Sequence, residues 1–166
     1  ADFDYADNLE FSPHAVEKGI EAIKSGCRII TDTRMAFSGI NKRVLAQFGT
    51  EADCYIDNPD VAQEAQKRGI TRSAVCMEKA SLNPQNKIFA IGNAPTALIR
   101  LYELIEEKKI RPELVIGVPV GFVNVIESKE LFRTCDVPYI IARGRKGGSN
   151  IAAAIVNAIS YMAAKR

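Results

Sequence analysis

Five cations, Arg34, Arg72, Lys129, Arg143 and Arg145, fall just beyond short apolar runs or at the starts of helical patterns. Helix N-termini carry free N–H groups and a partial positive charge, so arginines beside them would build a site for carboxylate or phosphate. The competing reading is a solvated surface, where most Lys and Arg reside. The common placement of Arg72, Arg143 and Arg145 favours the anion site for those three. Three Gly-rich turns occupy the same half of the chain: Gly92-Asn-Ala-Pro-Thr96, Gly117-Val-Pro-Val-Gly121 and Gly144-Arg-Lys-Gly-Gly148. Glycine permits a left-handed backbone or a close approach to a ligand. Ligands of open α/β sheets sit at the carboxyl ends of strands, so three such turns side by side would make one crevice. The stretch Val118–Phe122 is apolar for a surface loop, which points to a large, partly hydrophobic ligand. Each turn also has a plainer reading as a tight strand–helix connection, with Asn93 as a cap and Pro95 in the first helical turn.

Other chemistry is thinly supplied. His14 is the single histidine; it follows Pro13 at a helix start with no partner carboxylate in view, and reads as exposed or capping. Asp32, Glu127 and Glu130 are candidate acids. Asp32 serves equally well as a cap for the short helical piece before Gly39, and the two glutamates as first-turn charges. Cys27, Cys54, Cys76 and Cys135 are widely spaced, without a C-x-x-C pair or a Cys/His cluster. They read as buried thiols of a cytoplasmic protein, with no metal site and no disulfide. No P-loop, no G-x-G-x-x-G after a strand and no G-x-S-x-G elbow is present, which disfavours the corresponding nucleotide and hydrolase chemistry. A net charge of +2 exerts no global pull toward nucleic acid or membrane. The longest apolar run is far shorter than the roughly 20 residues of a membrane span, and no signal peptide is visible. The chain opens Ala1-Asp2-Phe3 without an initiator Met, as a processed protein or a fragment would.

The elements that position these residues alternate. A helix is expected from Ser12-Pro13, with Ser12 as N-cap, to Gly26. Strands are expected at 27–31, 52–56, 87–91, 114–118 and 139–142. Asn58-Pro59 opens a helix ending near Gly69, and Thr71 caps another reaching about Ala80. Three more are expected over 94–107, 124–133 and 147–164. In the first of these, Ala97, Leu98, Leu101, Leu104 and Ile105 share a face. Five strands alternating with helices predict a three-layer α/β/α domain over residues 1–166, with a five-stranded parallel sheet in flavodoxin-like order.

Taken in order, Asp32-Thr-Arg-Met35 with Gly39-Ile40, Thr71-Arg-Ser-Ala74, Ile91-Gly-Asn-Ala-Pro-Thr-Ala-Leu98, Gly117-Val-Pro-Val-Gly-Phe-Val123, Glu127-Ser-Lys129 and Gly144-Arg-Lys-Gly-Gly-Ser149 resemble the precorrin-8X methylmutase family. The resemblance runs from Phe11 to the C-terminus. It implies an isomerase of cobalamin biosynthesis that moves a methyl group from C-11 to C-12 of precorrin-8X or cobalt-precorrin-8, giving hydrogenobyrinic or cobyrinic acid. It implies a homodimer and no separate cofactor, since the shift stays within one molecule. Thr71, Arg72, Ser73, Arg143 and Arg145 would then grip carboxylates at the rim of the macrocycle. Gly92, Asn93, Thr96, Gly117, Val118, Gly121 and Phe122 would shape the floor. The family's proton-handling histidine lies upstream of the segment matched by Ala1–Asn8, so His14 does not take that role and the catalytic residue is not among those present. An N-terminally incomplete methylmutase or a non-catalytic corrinoid-binding relative fits this pattern. A flavodoxin-like domain holding flavin or another phosphate ligand is a third reading.

Overall fold

The computed structural model describes residues 2–165; Ala1 and Arg166, the ends of the expected domain, lie outside them. A six-stranded sheet carries β1 (Leu9–Phe11), β2 (Arg28–Thr31), β3 (Glu51–Asp53), β4 (Asn86–Ile91), β5 (Leu114–Gly117) and β6 (Tyr139–Ala142) in the order β1-β6-β5-β4-β2-β3. The five expected strands are present and parallel to one another. The expected five-stranded parallel sheet is nevertheless corrected to six strands and mixed, because β1 pairs antiparallel with β6, Leu9 opposite Ala142 and Phe11 opposite Ile140. Three residues are too few for an alternating pattern to register, which is why β1 is silent in the sequence.

Alternate strand residues face opposite layers. Ile30, Phe89, Ile91, Val115 and Ile141 pack on α5 (Pro59–Arg68), α6 (Arg72–Ser81), α7 (Pro95–Glu106) and α8 (Val125–Phe132). Ile29, Ile88, Ala90, Ile116 and Ile140 pack on α2 (Ala15–Lys24), α3 (Arg34–Gly39), α4 (Lys42–Ala46) and α9 (Ser149–Ala163). Burial on both faces explains the near-continuous apolar strands. On α7, Leu98, Leu101 and Leu104 are all buried, each stabilising by roughly 1.5–3 kcal/mol.

Caps set the helix boundaries. The Thr71 hydroxyl accepts from the Ala74 N–H, and Gly69 closes α5 at φ 64°. Ser12 does not cap its helix. It is spent on the sheet edge, accepting from the Tyr139 N–H at 2.8 Å, and His14 takes the N-cap position at φ 61° without a side-chain bond. A short helix α1 (Asp4–Asn8) precedes β1. Because β1 runs against its neighbours, α1 arrives at the carboxyl ends of the parallel strands.

Candidate functional site

The turns that follow β4, β5 and β6 pack directly on one another. A Cβ on Gly92 would lie 2.6 Å from the Ser149 Cα, and one on Gly147 would lie 2.1 Å from the Val118 carbonyl oxygen. Both glycines are therefore required by the neighbouring turn rather than by a ligand. The Gly148 N–H donates to the Val118 carbonyl at 2.9 Å and the Gly121 N–H to the Arg145 carbonyl at 3.3 Å. Thr33, the N-cap of α3, joins the same edge through a 2.7 Å hydrogen bond to Ser149 Oγ. On the far side, Thr71 Oγ1 donates to Thr96 Oγ1 at 3.0 Å. These contacts join the Thr71–Ser73 segment and the three turns in one band along the carboxyl edge.

Asp32 lies beneath this band. It directly follows β2, beside β4, where the chain switches from one half of the sheet to the other. Its carboxylate accepts from the N–H groups of Gly92, Asn93 and Ala94 at 2.8–2.9 Å. Burial pushes this carboxyl up, while the three N–H groups pull it down. The donors of the turn before α7 are thus taken up by the protein's own carboxylate. Asp32 is neither the acid nor the cap that its position after β2 implies; Thr33 caps α3.

The predicted cations separate into groups. Arg72 and Arg145 are exposed, and among the described residues neither has an ion-pair partner. Arg145 lies over the Phe122 ring at 5.9 Å, and Phe122 is 86 % exposed beside the exposed Val123. Arg143 donates from Nη2 to the Asp7 carbonyl at 2.5 Å, leaving its charge uncompensated. Arg34 faces Asp57 at 3.5 Å and stacks on Phe37. Lys129 is buried and turned inward. Ser73 and Thr96 are half-buried and Asn93 exposed, all near the rim. Gly117 and Val118 lie below the surface, Gly117 packed against Leu98 and Ile141, so they shape the band from beneath.

Two groups escaped the sequence reading. Lys146 Nζ bonds Asp2 at 2.9 Å and also Asp4, and the Asp4 and Asp2 carboxylates push this lysine above its ordinary value. Tyr5 Oη donates to the Gly147 carbonyl at 3.4 Å. Both ties bring α1 over the β6–α9 turn. No local pattern announces this, since the antiparallel β1 makes the connection. His14 sits past Ser12, by the first residue of β6, at the opposite end of the sheet. At that end, Lys87, Lys108 and Ile110 help line a cleft of about 620 Å³. It lies away from the band, and two of its cations are already paired, Lys109 with Glu107 and Arg111 with Asp136.

The four cysteines are free thiols, three of them buried, and burial pushes Cys27 and Cys76 up to about 12. Among the described residues there is no group of His, Cys, Asp and Glu fit to hold a metal ion. No helix there is long and apolar enough to cross a membrane.

The family model described as precorrin-8X methylmutase matches residues 1–162. A relative from Salmonella typhimurium named cobalt-precorrin-8 methylmutase is 52% identical over 162 residues, covering 97% of this chain and 75% of its own. The Pseudomonas aeruginosa protein named precorrin-8X methylmutase is 41% identical, covering 95% of this chain and 76% of its own. The crystal structure of precorrin-8x methyl mutase from Thermus thermophilus superposes with a TM-score of 0.90 at 38% identity, covering 99% of this chain and 80% of that one.

Proposed function

The chain belongs to the precorrin-8X methylmutase family, and on that premise we propose that its carboxyl-edge band holds a corrin-type macrocycle while a methyl group moves from C-11 to C-12. The protein is an isomerase of cobalamin biosynthesis. The cobalt form, cobalt-precorrin-8, is our first choice of substrate, because the 52% identical relative is named for it. The observation that carries the reading of the site is the pairing of exposed Phe122 and Val123 with Arg72, Arg143 and Arg145 along one edge. A precorrin is a broad apolar ring fringed with carboxylates. It matches an apolar lip flanked by cations that lack carboxylate partners.

A shift within one molecule needs no methyl donor. The protein's task is then to position the ring and manage a proton. We place the α1 segment beside the bound ring. The support is positional: Asp2, Asp4 and Tyr5 lie on the turn that carries Arg143 and Arg145. One domain acting as a cytoplasmic homodimer belongs to the same proposal. On α9, Ala154, Ala158, Tyr161 and Met162 are exposed at helical spacing and give a partner a flat apolar surface.

Incubation with precorrin-8X and with cobalt-precorrin-8, followed by absorption spectroscopy, tests the reading. Conversion to the hydrogenobyrinic or cobyrinic acid chromophore is expected, faster for the cobalt form. Tight binding of product without conversion would instead identify a corrinoid-binding relative of the enzymes.

A further inference from the structure

Lys129 is only 1 % exposed, yet no carboxylate pairs with it among the described residues. Removing an ammonium from water without a counter-ion is costly, and burial pulls Lys129 down to about 8. Its Nζ donates instead to two backbone carbonyls, Gly144 at 2.7 Å and Lys146 at 2.8 Å. The carbonyl between them, on Arg145, accepts from the Gly121 N–H. The next, on Gly147, accepts from Tyr5 Oη. All four carbonyls of this turn are thus occupied from within. Its four N–H groups, on Gly144, Arg145, Lys146 and Gly147, have no acceptor among the described residues. Free N–H groups in succession are what a backbone anion site is made from.

We propose that Lys129 is a positioning residue for substrate binding: it draws the carbonyls of Gly144 and Lys146 inward, so that the N–H groups between them and the side chains of Arg143 and Arg145 are left to a substrate carboxylate. The inference rests on the corrinoid reading above. An apolar residue of the same length would fill the volume as well. What it could not do is fix the polarity of the turn. The unpaired charge is explained by that service, since neither packing nor ion pairing requires it.

Product titrations of wild type, Lys129→Met, Lys129→Gln and Lys129→Arg test this, together with thermal midpoints and amide exchange of residues 144–148. Wild type should bind the corrinoid product. K129M should have a thermal midpoint at or above that of wild type near neutral pH, because the buried charge is gone and carbonyls in an exposed turn can rotate to water. It should bind product at least about tenfold more weakly, the worth of one charge-assisted hydrogen bond. The Gly148 amide, which donates to the Val118 carbonyl, should exchange faster, and KM should rise more than kcat falls. K129R, which can donate to both carbonyls, should recover part of the affinity. Wild-type affinity in K129M, with unchanged exchange in the turn, would overturn the proposal. If K129M does not fold, K129Q is read in its place with the same expected loss, and wild-type affinity there overturns it equally. A wild type that binds no corrinoid would sink the corrinoid reading itself, and Lys129's role with it.

Discussion

Two turns at the carboxyl edge are each pinned by one buried charge, and the charges have opposite sign. The β4–α7 turn is tied through its N–H groups to the Asp32 carboxylate. The β6–α9 turn is tied through its carbonyls to the Lys129 ammonium. Both are Gly-rich and both follow central strands, yet they are left with opposite capacities. The first has given the donors of Gly92, Asn93 and Ala94 to Asp32; it serves as foundation. The second has spent its acceptors and keeps its donors. The same contrast argues against a phosphate ligand such as flavin at the start of α7, where Asp32 already stands. Two glycine-bearing turns thus use their donors and acceptors in opposite ways.

The strongest way to break this comparison is Asp32→Ala. It would orphan three N–H groups in the interior and should lower the unfolding free energy by about 3 kcal/mol or more, read by urea denaturation. A mild effect would mean that the β4–α7 turn is not the foundation. Next comes the pH dependence of Lys129. Its folded value of about 8 lies below the ordinary 10.5, so the folded state disfavours the charged form. That penalty is complete below pH 8 and fades as the pH rises toward 10.5. Relative to K129M, wild type should therefore gain up to about 3 kcal/mol of stability across that window, measured by denaturation at matched pH values. A difference that stays flat with pH would show that Lys129 does not titrate there.

Gly147→Ala sharpens the contact between turns. Its Cβ would strike the Val118 carbonyl, at a cost of about 1–3 kcal/mol. Product affinity should fall with stability, since the band would separate. Arg72→Ala should weaken product binding about tenfold, or roughly 1.4 kcal/mol, without unfolding the protein; unchanged affinity in a titration would remove Arg72 from the site. The smallest effect is expected from Arg111→Ala at the far end of the sheet. Its partner Asp136 is as exposed as Arg111 itself, and exposed pairs contribute little. A loss of product affinity in that variant would move the site away from the carboxyl edge.

Much of this was legible in the sequence because the central strands are short continuous apolar runs and the helices carry caps. Thr71 before Arg72, Gly69 after Arg68 and the leucines of α7 each announce a boundary or a face through local chemistry. The positions of Arg72, Arg143 and Arg145, at a helix start or just after a strand, were legible too. The inward turn of Lys129 was not, because a buried and an exposed lysine look alike until the fold places them. Asp32 was misread for a related reason: its three donors lie 60 residues away along the chain, and local capping rules see only neighbours. β1 and the α1 contacts with Lys146 and Gly147 depend on a pairing of three residues, below the length at which a pattern can register. The contacts of α1 with the β6–α9 turn were therefore hidden, while the turn itself was not.

The antiparallel course of β1 also yields a means of observing the protein at work. Phe3 and Leu82 are similarly exposed, at 86 % and 83 %. Phe3 precedes α1 over the β6–α9 turn, whereas Leu82 follows α6 at the amino edge of the sheet. Environment-sensitive dyes attached at these two points would act as a matched pair. The first would brighten or dim as the ring docks, and the second would stay silent and supply the reference channel for a ratiometric assay.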